Sequence, residues 1–321
     1  MKNLLVKGVC GLGNRMLALT KAGQICDKHD IRMKVCWRDK MYSSDGTNAF
    51  DRFFSVKTKY RAERNAMRGT IYPIAWKGKT SEPFDLLADW QGRSLLHPDE
   101  SIVGVSERHD ISVIAPRPNT RRGGEPDYQT AVEILKLRKK LRKIITVKPE
   151  AIAVAGKFTM AKFAANTLGV HIRHTAPTKR KTSYDDLFEK IEGVLQARPD
   201  TRIMLCCDHR DPIDAIATRY AERLILMPKW MPKGTPEGWR TEKMALHNPL
   251  TRDEQHDQGV VYEEAVKEMI ALASCRTIIY QHNSSFGACA AVLSNAPKAN
   301  IIPWGEETND TNENYGWHKT K

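Results

Sequence analysis

Aromatic side chains are scarce in this sequence. Phe, Trp and Tyr together make up 7% of 321 residues, and none alternate with basic residues as a stacking platform for single strands requires. Long apolar runs are missing too: no stretch approaches the roughly 20 residues that cross a bilayer. Residues 1–8 hold too short an apolar run for a signal peptide. Cysteine, at seven residues, is sparse and odd in number, which excludes a disulfide framework and leads us to expect a reducing, cytoplasmic setting. Without a secretion signal, the glycosylation triplet Asn283-Ser284-Ser285 carries no weight. Repeats, low-complexity tracts, a Walker loop, zinc-ligand spacing, a catalytic-triad motif and an Asp-x-Asp metal clamp are all absent from the sequence. Acidic residues are in deficit, 38 against 51 basic, for a net charge of +13. Such a balance favours anionic partners without choosing among nucleic acid, a membrane surface and phosphorylated small molecules.

The remaining composition, 41% hydrophobic and 28% charged, is that of a globular protein. Its length suits two domains of about 150 residues. Much of the basic excess falls in 136–143, where Leu137, Leu141 and Ile144 or Ile145 recur at helical spacing. This reads as an amphipathic helix over 128–145 with a solvated basic face. The pattern predicts a strand at 4–9, a helix at 15–28 and a strand at 32–37, a strand-helix-strand unit of a parallel sheet. Between 38 and 125 only strands near 101–105 and 111–114 can be assigned, followed by a loop at 116–126. After Pro149 the alternation is cleaner. Helices are expected at 150–163, 184–197, 212–223, 260–275 and 284–294. Strands are expected at 168–173, 202–207, 224–227, 277–281 and 300–303, with a loop at 228–239. The expected fold class is α/β, the second half doubly wound, with a boundary between 146 and 165.

Four places could carry chemistry. Gly11-Leu12-Gly13-Asn14-Arg15 lies between a strand and a helix, where glycines permit a tight turn and Asn14 can cap the helix. Met16 stands where a dinucleotide fingerprint has its third glycine, so this is not that motif. His171-Ile172-Arg173-His174 ends an apolar strand, with His171 and Arg173 on one face and His174 turned away. Strand carboxyl ends are where open α/β sheets bind ligands, and the planar fork of Arg173 suits phosphate oxygens. Asn283-Ser284-Ser285-Phe286 joins another strand to a helix, offering either an anion cradle or a simple N-cap. Asp208-His209 ends a fourth apolar run, and its plain alternative is a helix cap. Cys206 and Cys207 point to opposite faces as inert core thiols.

In their order along the chain, Gly11-Leu-Gly-Asn-Arg-Met, His171-Ile-Arg-His, the helix around Glu268 and Asn283-Ser-Ser-Phe resemble the GDP-fucose fucosyltransferase superfamily. The likeness covers about residues 8–37 and 165–304. It implies a B-type glycosyltransferase architecture of two Rossmann-like domains facing a cleft. The amino-terminal domain, 1–150, would take the acceptor side and 151–321 the nucleotide sugar. It further implies transfer of L-fucose from GDP-fucose to a glycan or glycolipid hydroxyl, with inversion, no metal and no cofactor beyond the donor substrate. Carried across, Arg173 would hold the donor diphosphate, with His171 beside it as the other catalytic candidate. Asp208 would approach the nucleoside, Ser284 and Ser285 the phosphates, Glu268 the donor pocket, and Asn14 the opposite lip. One departure matters: Thr175 to Ser183 lacks the acidic residues that relatives carry after the His-x-Arg doublet, so the base is unassigned. Lys179-Arg180-Lys181 reads as a solvated loop. The alternatives are a transferase using another nucleotide sugar, a binding-only relative, or a basic nucleic-acid-binding protein.

Overall fold

The computed structural model describes residues 2–8, 11–39, 42–43, 45–63, 67–82, 105–116, 128–174, 184–229 and 258–305. The first strand, β1 (Asn3–Lys7), is buried along its whole length and leads into α1 (Leu12–His29), then β2 (Arg32–Cys36). A short helix α2 (Ala49–Phe53) runs into β3 (Phe54–Val56), and β4 (Ile71–Tyr72) and β5 (Ile111–Ile114) follow. Among the described residues β1, β2, β4 and β5 form one parallel sheet in the order β2-β1-β5-β4.

Helix α3 (Ala131–Ile144) starts on a capping box, Thr130 accepting from the Glu133 amide while Glu133 accepts from that of Thr130. It gives way to β6 (Ile145–Val147), antiparallel to β3, and Pro149 at the first helical position opens α4 (Pro149–Lys162). Then come β7 (Leu168–Ile172), α5 (Asp185–Ala197), β8 (Ile203–Cys207), α6 (Arg210–Tyr220) and β9 (Leu224–Leu226). The chain continues through α7 (Gln258–Ala273), β10 (Thr277–Gln281), α8 (Ser285–Leu293) and β11 (Ile301–Trp304). The second sheet is wholly parallel in the order β11-β10-β7-β8-β9. Counted from β7, this is the doubly wound order, which reverses direction between β7 and β10.

Helix α8, Ser-Phe-Gly-Ala-Cys-Ala-Ala-Val-Leu, is apolar on every side and nearly all buried, as expected of a helix enclosed by protein. Its small residues let α1, α3 and α7 pack closely around it. The largest apolar cluster runs from Leu4 and Val6 through Met16, Leu141, Met269 and Ala290 to Ile301, so both sheets share one core. Separate clusters cover the outer faces: Leu187, Ile191 and Ile216 on the second sheet, Ile71 and Trp76 on the first.

Several expectations need correction. The expected helix over 128–145 ends at Ile144, and Ile145 is already strand. Its basic face is not simply solvated. The Arg138 guanidinium donates to Ala291 O, Ala296 O and Ser294 Oγ, and Arg142 donates to Leu293 O and Ser294 O. Two arginines therefore satisfy the carboxyl-terminal carbonyls of α8. Val105 is not in a strand, and residues 101–104 lie outside the described residues, as do those expected to loop at 117–126 and 230–239. Cys206 and Cys207 do face opposite sides, one into the shared core and one outward.

Candidate active site

The carboxyl ends of β7, β8, β10 and β11 converge at the point where the second sheet reverses order. At the end of β7 the His171 ring is buried and lies 5.5 Å from that of Phe286, stacked on it. Glycine at 287 makes this possible: a Cβ there would stand 2.8 Å from His171 Nδ1. The His171 carbonyl accepts from Trp304 Nε1 at 3.0 Å. Burial drives the His171 pKa down to about 3, and the nearby Arg173 and Lys229 cations push the same way against Asp208. The imidazole is thus neutral at neutral pH and weakly basic.

Two residues on, the Arg173 amide donates to Gln281 Oε1 at 2.9 Å, which ties β7 to β10 beyond the last ladder bond. Its half-buried guanidinium meets no carboxylate among the described residues. Asp208, after β8, does not cap α6; its Oδ1 accepts from the His174 amide at 2.7 Å, and the cap is His209, whose ring accepts from the Asp211 amide. Ser284 is the N-cap residue of α8, yet its side chain makes no capping bond, and its buried Oγ meets no hydrogen-bond partner among the described residues. Ser285 is buried beside it.

The glycine turn after β1 reaches this same place. A Cβ at Gly13 would stand 2.3 Å from Ser285 O and 2.6 Å from Phe286 N, so the first turns of α1 and α8 touch backbone to backbone. Asn14 does not cap α1, because the helix begins three residues earlier than the apolar spacing indicates. Gly11 is the N-cap, without a side-chain bond, and Asn14 sits at the third helical position. Arg15 is spent locally, forking onto Asp39 at 2.5 and 2.9 Å and lying over the Tyr42 ring.

Glu268 is one level deeper. Lys229 Nζ donates to both of its carboxylate oxygens at 2.7 and 2.8 Å and to Cys207 O at 2.6 Å. Burial raises the Glu268 pKa and Lys229 opposes it; burial alone would lower that of Lys229, but Glu268 outweighs it and holds the ammonium charged. Sequence reasoning missed Lys229, Gln281 and Trp304. Only Lys229 had a signal: a carboxylate at 268, on a helix face it shares with the apolar Ala271 and Leu272, calls for a buried cation. Of the expected site residues, His171, Arg173, Asp208, Ser284 and Ser285 lie at the carboxyl ends of β7, β8 and β10, Asn14 follows the Gly13 contact with Ser285 along α1, and Glu268 faces Lys229.

No family model matches this chain, and no curated protein does. Solved structures match over nearly its full length. The NodZ alpha-1,6-fucosyltransferase co-crystallised with GDP aligns over 92% of this chain and 93% of its own at a TM-score of 0.52 and 16% identity. Fucosyltransferase NodZ from Bradyrhizobium covers 92% and 94% at 0.50 and 15% identity. A mutant of Arabidopsis thaliana FUT1 in complex with GDP covers 92% and 69% at 0.51 and 10% identity. The chain has an α/β fold with parallel sheets, and it is the fold of these glycosyltransferases, the B type expected from the sequence.

Proposed function

We propose that this protein is a glycosyltransferase that moves L-fucose from GDP-fucose to a glycan or glycolipid hydroxyl. The contact of Gly13 with Ser285 carries this reading, because it joins the glycine turn of the first sheet to the phosphate-suited end of the second. GDP in the solved neighbours supports the donor class. Residues 1–150 form the acceptor-side unit and 151–321 the donor-side unit. The acceptor oxygen attacks the anomeric carbon from the face opposite the diphosphate, whose bond breaks with the electron pair leaving on its oxygen. The Arg173 fork, the Ser284 hydroxyl and the first-turn amides of α8 from Ser285 onward stabilise the charge gathering there, so no metal is needed. His171 shapes the pocket as a neutral ring, Asp208 lies toward the nucleoside, Asn14 faces from the other lip, and Glu268 holds Lys229 beneath. A carboxylate or histidine elsewhere takes the acceptor proton.

The test is a panel of GDP, GDP-fucose, GDP-mannose, UDP-sugars and duplex DNA read by thermal shift, with turnover read as released GDP. GDP and GDP-fucose are expected to raise the melting temperature, with chelator changing neither shift nor turnover. Tighter binding of UDP than GDP, or a strict need for manganese or magnesium, would overturn the reading. A shift caused only by DNA and abolished by salt would favour a nucleic-acid binder.

A further inference from the structure

Beside this site, but outside the roles just given, lie His174, His209 and Asp211. One candidate ligand atom from each falls within 4.8 Å of the others. Two backbone features fix their placement. The His174 amide is held by Asp208 at 2.7 Å, and His209 is the N-cap of α6. The rings of His174 and His209 are 4.6 Å apart, tilted by 30°.

We infer that these three residues form a binding site for a divalent transition-metal ion of the zinc class. The donor set of two imidazoles and one carboxylate suits zinc, cobalt or nickel and not magnesium or calcium, which prefer oxygen alone. The geometry is close to ready. An ion with bonds of about 2.1 Å sets tetrahedral ligands roughly 3.4 Å apart, and His209 Nδ1 already lies 3.6 Å from Asp211 Oδ1. That nitrogen accepts from the Asp211 amide at 3.2 Å, so it carries no proton, and an ion bound there takes the lone pair over from this long capping bond. His174 Nδ1 lies 3.2 Å from Tyr184 Oη. With Nδ1–H donating to that phenol, Nε2 is left as the ligating atom and the ring is oriented by an outer partner. The exposed side chains of His174 and Asp211 supply the remaining closure by rotation. Three protein ligands leave a fourth position for a solvent or ligand oxygen. The ion would cross-link the ends of β7 and β8 without taking part in transfer, and the inference stands whether or not the donor is GDP-fucose.

The experiment titrates the full chain with cobalt(II), reading visible d–d absorption, and with zinc, reading thermal shift, with magnesium in parallel. One equivalent of cobalt should give a tetrahedral-type band without strong thiolate charge transfer, since the six cysteines among the described residues are all buried. Zinc should raise the melting temperature and magnesium should not. His174→Ala and His209→Asn should each weaken cobalt binding at least tenfold, asparagine being chosen because it keeps a helix-capping acceptor. The GDP shift of both variants, measured without metal, should match wild type. Absence of a cobalt band in wild type, or equal cobalt binding by the variants, would overturn the site.

Discussion

The meeting of α1 and α8 can be tested with one methyl group. In Gly13→Ala the new Cβ would stand 2.3 Å from the Ser285 carbonyl oxygen, 2.4 Å from its carbon and 2.6 Å from Phe286 N. All three are backbone atoms at a helix start, so no side chain can swing aside. Normal contact near 3.4 Å requires the first turns to separate by about 1.1 Å, within interiors that pack too tightly to absorb it. Overpacking of this kind costs about 1–3 kcal/mol, and replacing a helical glycine returns up to about 1 kcal/mol. The net expectation is a loss of ~1–2 kcal/mol, together with GDP binding weakened tenfold or more as the Ser284 hydroxyl and the Ser285 amide move. Gly156→Ala on α4 is the matched control: nothing lies within 4 Å of its Cβ position, so helix propensity alone should stabilise it by about 0.5–1 kcal/mol. Urea melts give the stabilities, and calorimetric titration with GDP gives the affinities. If Gly13→Ala is as stable as Gly156→Ala and binds GDP like wild type, the junction of the two helix starts is not what builds the site.

Other perturbations separate the remaining roles. Arg173→Ala should lower turnover on the order of a hundredfold, the scale for losing one preorganised donor to a developing anion. Arg173→Lys should recover only part of it, and an alanine variant within about threefold of wild type would make the residue structural. Because the native His171 stays neutral down to about pH 3 while an unfolded histidine protonates below roughly 6.5, the unfolded state binds the extra proton between these values. Its contribution is therefore intact above about pH 6.5 and lost as pH falls, with a slope approaching ~1.4 kcal/mol per pH unit. His171→Gln should lack that component in melts from pH 7 to 4, and parallel curves would contradict a buried neutral ring. Lys229→Met strands the Glu268 carboxylate and should cost about 3–5 kcal/mol, whereas adding Glu268→Leu should restore most of it. Strict additivity of the two changes in a double-mutant cycle would show that the pair does not interact.

How much of this was legible depends on how local the cause is. The strands at 111–114 and 277–281 agree with the sequence reading residue for residue, because short apolar runs between polar breaks leave few other options. The elements β3 and β4 span three and two residues, too few for any period to show, and neither appears in the sequence reading. The periodicity of α3 gave Leu137, Leu141 and Ile144 of its buried side but not Ile134, nor the partners of Arg138 and Arg142, which lie about 150 residues away. Strand-end placement pointed to His171, Arg173, Asp208 and the serine pair one by one. Which of them meet was decided by the order of the second sheet, and that order rests on long-range pairing.

The touching helix starts also bear on the protein when no ligand is present. Each carries roughly half a positive charge at its amino end, and here neither Gly11 nor Ser284 places a side-chain oxygen over the free amides. Two like poles are held together by the packing of a shared core, and their mutual repulsion is part of the cost of folding empty. An anion entering between them removes that repulsion as well as adding its own attraction. Occupancy is then felt by both sheets at once, through α1 in one direction and α8 in the other. An anion need not be the true substrate to be noticed: phosphate or sulfate in a buffer is expected to act on the same frustrated pair, so that stability should vary with the solution's anions.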